Sequence, residues 1–334
     1  MKRRRKYRAV VIGCGKIGVG YEDDFDRSPP RSHAGAISAD KRMELVALVD
    51  ENAATLRAAK SHFLGVRTYT SAVECLSKEK PDVVVIAAST ASHVSLIERA
   101  CRADVKMIIS EKPLCRNVSE GTRISKVLRK YRPVFVLNYQ RRFFGLFERV
   151  RRDIADKKIG NVQQITCYYS NGLRNNAGHA IDSLLFLLGE RITRVSGIRN
   201  KKNVIHPAGD TNIDALLETR SGIRIALQSF DQRAYAIHHM NMYGTEGAIT
   251  LTDHGFTGEW SVIRRGVIPT FTKQKRVQRK DSFTKGALDE VVHCYENNST
   301  PKSGLKNGKD VLAILDAVTR SAIRGGKATA VRYS

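Results

Sequence analysis

Two rhythms of apolar and polar positions run along this chain. Up to about residue 139, short β-branched apolar runs alternate with helical patterns. The run Val10-Val11-Ile12 ends in Gly13, Gly15 and Gly18. A helical pattern resumes at His33, after an acidic and proline-bearing insert at 19–32 that reads as a loop. Strands follow at 44–49, 66–69, 81–88, 106–110 and 134–139, and helices at 52–62, 72–76, 92–101 and 119–131. Unbroken apolar runs such as 83–88 predict strands buried on both faces, and the βαβαβ order predicts a doubly wound parallel sheet. After residue 160 the strands lengthen and alternate, at 162–170, 191–199, 214–218 and 222–231, which predicts an antiparallel or mixed sheet with one face packed on helices. A helix at 179–188 interrupts them, 243–249 reads as a turn entering a strand, 253–284 has no clear pattern, and helices at 286–297 and 308–324 follow. The fold class is α/β, with an expected division into 1–138 and 139–334.

The glycine spacing has a mechanical meaning. In G-x-G-x-x-G after a strand, Gly13 permits a tight turn, Gly15 lets a pyrophosphate approach the backbone, and Gly18 lets the following helix pack close. The N–H groups of that helix would then face the phosphates. Asp50 ends the second strand, where an acidic residue accepts hydrogen bonds from the adenosine ribose; it also fits a helix N-cap, and both can hold. Asp50 is followed by Glu51 with no Arg or Lys beside it, which favours NAD over NADP. Ser89, Thr90, His93, Glu111 and Lys112 fall at the carboxyl ends of strands, where such sheets bind ligands. The Lys112-Pro113 bond is a candidate cis peptide, and a lysine aimed from a rigid turn at a cofactor crevice is a candidate acid, base or hydrogen-bond donor.

Length and composition suit two globular domains. No apolar run is long enough to span a membrane, and the basic start MKRRRKYR leads into a strand rather than a signal-peptide core, so a cytoplasmic protein is expected. The six cysteines lack C-x-x-C spacing and read as reduced thiols, with no metal site expected. The formal net charge of +24 adds a question. Basic residues cluster at 2–8 and 264–280. A solvated basic surface accounts for them best, because neither cluster lies in a nucleic-acid motif; a field attracting anionic substrates such as nucleotide sugars is another reading, and nucleic-acid binding is not the expected one.

Five ordered motifs, GCGKIG at 13–18, LVD at 48–50, STASH at 89–93, EKP at 111–113 and NAGHAID at 176–182, resemble the Gfo/Idh/MocA family of sugar and inositol dehydrogenases. The segment GKDVLAILDAVTRSA at 308–322 resembles that family's C-terminal helix. The resemblance implies a Rossmann domain followed by an α/β domain with a large open sheet used for homodimer or homotetramer contacts. It implies an NAD(P)-dependent oxidoreductase acting on a hydroxyl of a sugar, cyclitol or sugar nucleotide. His179 would be the general base, Lys112 would sit near the nicotinamide and the substrate hydroxyl, and Glu111 would order the cofactor pocket. Asp182, Asn175 and Arg142 are expected at the substrate. Lys16, Ile17 and Gln140 are expected at the cofactor with Gly13, Gly15, Gly18, Asp50, Ser89, Thr90 and His93.

The chain departs from the family at Asn175, where many members carry aspartate four residues before the histidine. Asparagine hydrogen-bonds a hydroxyl but brings no negative charge to an imidazolium. A non-catalytic NAD-binding sensor or scaffold of the same fold is the alternative this leaves open. The insert at 19–32 is a second departure; it covers the cofactor, shapes the substrate entrance, or is an exposed excursion. The catalytic reading requires the imidazole at 179 and the ammonium at 112 to converge beside the dinucleotide's redox carbon.

Overall fold

Strand β1 (Tyr7–Ile12) lies at the centre of a six-stranded parallel sheet in a computed structural model of the chain, which describes residues 5–201, 210–279 and 281–333. The first helix, α1 (His33–Ala39), leads to β2 (Met43–Val49), α2 (Ala53–His62), β3 (Arg67–Tyr69), α3 (Ala72–Glu79) and β4 (Val83–Ile86). Then come α4 (His93–Arg102), β5 (Met107–Ser110), α5 (Val118–Tyr131) and β6 (Val134–Leu137). The strand order is β3-β2-β1-β4-β5-β6. All four residues of β4 and all four of β5 are buried, as a strand covered on both faces requires. The chain leaves β1 toward β2 on one side and returns to β4 on the other, so a crevice opens at the carboxyl ends of β1 and β4.

The second sheet has nine strands. After α6 (Gly145–Ala155) come β7 (Val162–Ser170), α7 (Gly178–Leu188), β8 (Ile192–Arg199), β9 (Ile213–Thr219), β10 (Arg224–Phe230), β11 (His238–Gly244), β12 (Gly247–Thr252), β13 (Thr257–Arg264) and β14 (Thr270–Gln278). Two further helices, α8 (Lys285–Asn297) and α9 (Leu305–Ile323), precede β15 (Thr329–Ala330). The sheet order is β14-β13-β12-β11-β7-β10-β9-β8-β15, antiparallel except for β7 beside β10. Burial alternates along β9 and β10, the mark of a sheet covered on one face. On that covered face α6 packs Leu146 toward Gly258, and α9 packs Val318 toward Gly197, where the nearest backbone leaves little space for a Cβ.

The chain divides into one unit of residues 1–140 and 282–309 and another of 141–281 and 310–334. The expected division at 138/139 lies two residues from the first of these boundaries, and residues 282–309 return to the first unit. Helix α8 packs on β5 and β6, and Ser303 exchanges hydrogen bonds with Leu137: the Leu137 N–H donates to Ser303 O at 3.1 Å and the Ser303 hydroxyl donates to Leu137 O at 2.6 Å. Residues 257–278, unpatterned in sequence, form the β13–β14 hairpin. Nearly every residue of β14 is exposed, so its basic residues carry no burial signal. Within the basic clusters, Arg264, Arg265, Lys273, Lys275 and Arg276 lie on this exposed hairpin, while residues 2–4 and Lys280 lie outside the described residues. Glu259 faces Lys273 at 3.0 Å and Arg276 at 3.7 Å. Among the described residues no helix is long and apolar enough to cross a membrane, and all six cysteines are buried and free.

Candidate cofactor and catalytic site

The three glycines divide the labour as their spacing predicts. Gly13 has φ +97°, and a Cβ there would stand 2.5 Å from the Ala88 nitrogen. A Cβ on Gly18 would collide with the Gly13 carbonyl oxygen. A Cβ on Gly15 would meet nothing within 4 Å; this glycine borders open space on the ligand side of the turn. That is the cradle a pyrophosphate needs, and the residues fit a dinucleotide. One detail differs. The regular helix does not start at the glycines: Gly15–Val19 turns, Gly20–Asp23 forms a short 3₁₀ turn, and α1 begins at His33. The His33 and Ala34 N–H groups donate to Ile17 O and Gly18 O at 3.0 Å, so the insert interrupts a helical path that then resumes. Lys16 is exposed and Ile17 half-buried beside the turn.

The cleft beside the glycines has a volume of about 460 Å³ and is lined by Gly13, Gly15, Asp50, Ser71, Ser89 and Arg99 among others. Asp50 Oδ2 accepts from the Cys14 N–H at 2.8 Å and Oδ1 from the Asn52 N–H at 2.9 Å. The carboxylate is therefore fixed at the cleft with lone pairs to spare for ribose hydroxyls. It is not the helix cap. Asn52 caps α2, accepting from the Ala54 and Thr55 N–H groups at 2.8 and 3.2 Å.

At the end of β5 the Lys112-Pro113 bond is cis. Glu111, buried, accepts from His33 Nε2 at 2.8 Å and from Asn138 Nδ2 at 2.7 Å, and its Oε2 accepts from the Lys112 N–H at 3.2 Å. Burial pushes the Glu111 carboxyl up, but His33, Asn138 and Lys112 outweigh it and hold the pKa below the ordinary value. His93 is buried, with Nδ1 2.9 Å from Pro113 O and Nε2 3.2 Å from Ala88 O. Desolvation lowers its pKa. Both ring nitrogens face backbone carbonyls, so His93 braces the 112–113 turn against the end of β4; it reaches the cofactor site through that backbone. Thr90 is half-buried at the end of β4, and Gln140 is half-buried at the start of a 3₁₀ turn, Gln140–Phe143.

In the other unit, a five-residue π-helical turn, Leu173–Ala177, feeds α7. Asp210 holds it, accepting from the Arg174 and Asn175 N–H groups at 3.1 and 2.9 Å. Asn175 is half-buried. His179 lies in the first turn of α7, 9% exposed, its ring edge-on to His238 at 6.5 Å between centroids. Burial, aided by the charge of Arg141, drives the His238 pKa well below its ordinary value, so His238 is a neutral neighbour. Asp182, three residues on, and Arg142 are directed at each other. Arg142 Nε lies 2.9 Å from both Asp182 oxygens and Nη2 lies 2.8 Å from Oδ1, with side chains 7% and 1% exposed. Burial raises the Asp182 pKa to about 6 against the pull of Arg142. Both were expected at the substrate; here they form a buried bidentate pair that ties the start of α7 to the 140–143 turn.

Three residues with evident structural roles escaped the sequence reading. Arg141 is buried, donates from Nε to His254 O at 3.1 Å, and has a pKa pushed down to about 9 by desolvation. Asp210 and His33 are the others. The one available signal was the position of His33, first in its helix directly after a serine cap. Among the described residues, no group of three His, Cys, Asp or Glu is disposed to hold a metal ion.

Residues 7–139 match the model of the GFO_IDH_MocA family, described as an oxidoreductase family with an NAD-binding Rossmann fold. Inositol 2-dehydrogenase of Rhizobium meliloti (strain 1021) is 29% identical over 334 residues, covering 94% of this chain and 96% of the relative. Among solved structures, aldose-aldose oxidoreductase from Caulobacter crescentus, complexed with glycerol, superposes with a TM-score of 0.79 at 16% identity, over 98% of this chain and 100% of the other. The WlbA dehydrogenase from Bordetella pertussis, in complex with NADH and UDP-GlcNAcA, superposes with a TM-score of 0.77 at 20% identity, over 99% and 100%. With its glycine turn and the match over residues 7–139, the first part of the chain is built on the NAD-binding Rossmann fold of the GFO_IDH_MocA oxidoreductase family.

Proposed function

We propose that this protein is an NAD-dependent dehydrogenase that oxidises a ring CH–OH of a cyclitol or sugar. The observation that carries the reading is the glycine cradle with Asp50 fixed at its edge. A 2′-phosphate in that cleft would approach the Asp50 and Glu51 carboxylates, which disfavours NADP; ribose hydroxyls would find acceptors. The nicotinamide, when bound, supplies the hydride acceptor. His179 takes the hydroxyl proton as the carbonyl forms, and the Lys112 ammonium stabilises the developing alkoxide. His238, held neutral by burial and by the charge of Arg141, adds no positive charge of its own beside His179. Full-length relatives named as inositol and D-apiose dehydrogenases support a polyol substrate. Nearly the whole of the Rhizobium enzyme is matched, which supports a dehydrogenase reading of the chain as a whole. We place it as a homodimer or homotetramer through the open face of the nine-stranded sheet, where Ile198, Leu216 and Tyr243 are exposed.

The test is NADH formation, followed by absorbance, with myo-inositol, aldoses and sugar nucleotides, for the wild type and for Lys112→Ala and His179→Ala. Each variant should lose roughly 10²–10⁴-fold in kcat while binding NAD. Tight NAD binding without turnover on any of these classes would instead identify a sensor or scaffold.

A further inference from the structure

The strongest unassigned device in the molecule is the buried chain of side chains behind Lys112. Its anchor is the 19–32 insert. Ser32, fully buried, caps α1 by accepting from the Gly35 N–H at 3.0 Å, while its own N–H and hydroxyl donate to Glu22 Oε1 at 3.0 and 2.5 Å. The Thr284 hydroxyl donates to Ser32 O at 3.1 Å, and the Ser282 hydroxyl donates to Pro30 O at 2.7 Å. Within the insert the Arg27 guanidinium stacks over the Tyr21 ring at 3.5 Å. The end of the insert is therefore fixed on several sides. The next residue is His33, 2% exposed, whose Nε2 meets Glu111 Oε1.

We propose that His33 is a positioning residue for Lys112, acting through Glu111. The carboxylate has two oxygens with separate duties: Oε1 is held by His33 and Asn138, and Oε2 holds the Lys112 backbone N–H. Removing His33 leaves a buried anion with a partner missing, and the carboxylate then rotates toward whatever donor remains. The nearest are Asn138 and the Lys112 N–H itself. Either rotation shifts the backbone from which the ammonium emerges, and misplacement by a fraction of an ångström is costly in a reacting geometry. His93 meets the next residue, with Nδ1 2.9 Å from Pro113 O, so the turn is held at both Lys112 and Pro113. The insert is then more than a loop: it sets the first residue of α1 where this clamp needs it.

This inference rests on the proposed role of Lys112, and the experiment separates the two. kcat, the NAD dissociation constant and the thermal midpoint are measured for His33→Gln, His33→Asn, His33→Ala, Lys112→Ala and His33→Ala/Lys112→Ala. Glutamine places an amide N–H near the Nε2 position and asparagine does not reach it. The expected result is a kcat within about threefold of wild type for His33→Gln and roughly 10–100-fold lower for His33→Asn and His33→Ala, by analogy with the loss of a hydrogen-bond partner behind a metal ligand. NAD binding should stay within about threefold. In the Lys112→Ala background, His33→Ala should change kcat by less than about twofold, because the two act as one unit. Equal kcat for the glutamine and asparagine variants, or independent, multiplying losses in the double variant, would overturn the positioning role. If His33→Ala fails to fold, the glutamine–asparagine pair decides alone. A Lys112→Ala variant with normal turnover would instead overturn the reading on which the inference stands.

Discussion

Replacing Arg142 by leucine removes the guanidinium that pairs with the Asp182 carboxylate, whose side chain is 1% exposed. The pair is bidentate and buried on both sides, so breaking it should cost about 3–5 kcal/mol once the pH is well above the Asp182 pKa. The pH dependence gives the argument its edge. Asp182 already has a pKa raised to about 6 by burial, with Arg142 opposing the rise. Without Arg142 that pKa climbs further. A carboxyl whose folded pKa is raised binds its proton more tightly in the native state, so its stabilising protonation is present at low pH and lost as pH rises through the folded pKa. Below about pH 6 both proteins carry a protonated Asp182, and the variant should lack only hydrogen bonds and packing, about 1 kcal/mol. Above pH 6 the deficit should widen by about 1.4 kcal/mol per pH unit until the variant's own carboxyl ionises. Urea unfolding at pH 5.5, 7 and 8.5 measures it. The chain has one tryptophan, and Trp260 lies buried on β13, so its fluorescence reports on the unit that holds the pair. A deficit equal at pH 5.5 and 8.5, or below about 1 kcal/mol at pH 8.5, would refute the reasoning. The double variant Arg142→Leu/Asp182→Leu should regain part of the loss, since it removes both members of the pair together.

Gly13→Ala forces a side chain onto a backbone at φ +97° and into the Ala88 peptide; isothermal titration should show NAD affinity down by at least about tenfold, with the strain spread over a few kcal/mol. Asn52→Ala removes two N-cap acceptances from α2 and should lower the unfolding free energy by about 1 kcal/mol in denaturant titration. The thiols of Cys14 and Cys75, with pKa values pushed up to about 12 by burial, should stay unreactive toward a disulfide reagent at pH 8 until denaturant is added; rapid labelling of either in the folded protein would contradict their burial.

The first domain was legible because its chemistry is local. A strand buried on both faces is a continuous apolar run, and the glycines that follow β1 sit a few residues from the strand they terminate. Asp50 was half legible. Its place at the end of β2 could be read, but the cap belonged to Asn52, and which of two neighbouring polar residues turns back on the helix depends on backbone angles. Strand β14 could not be read, because an exposed edge strand buries nothing and its basic residues alternate with nothing, and β13 beside it buries only its first half. Nor could the partners of Glu111: His33 is 78 positions away, and nothing in either neighbourhood specifies the other. The resemblance put Arg142 and Asp182 at the substrate; the structure shows each charge facing the other.

The first unit is written in two instalments, and the second arrives late. Leu288, Val291 and Val292 of α8 are buried, and that helix packs on β5 and β6, which were synthesised some 150 residues before it. A ribosome therefore releases a sheet in which two strands still lack the helix on one face, and the intervening segment must emerge before that helix can dock. A gene fragment stopped at residue 140 would yield not a small independent domain but an unfinished one, with an apolar flank open to whatever it meets first.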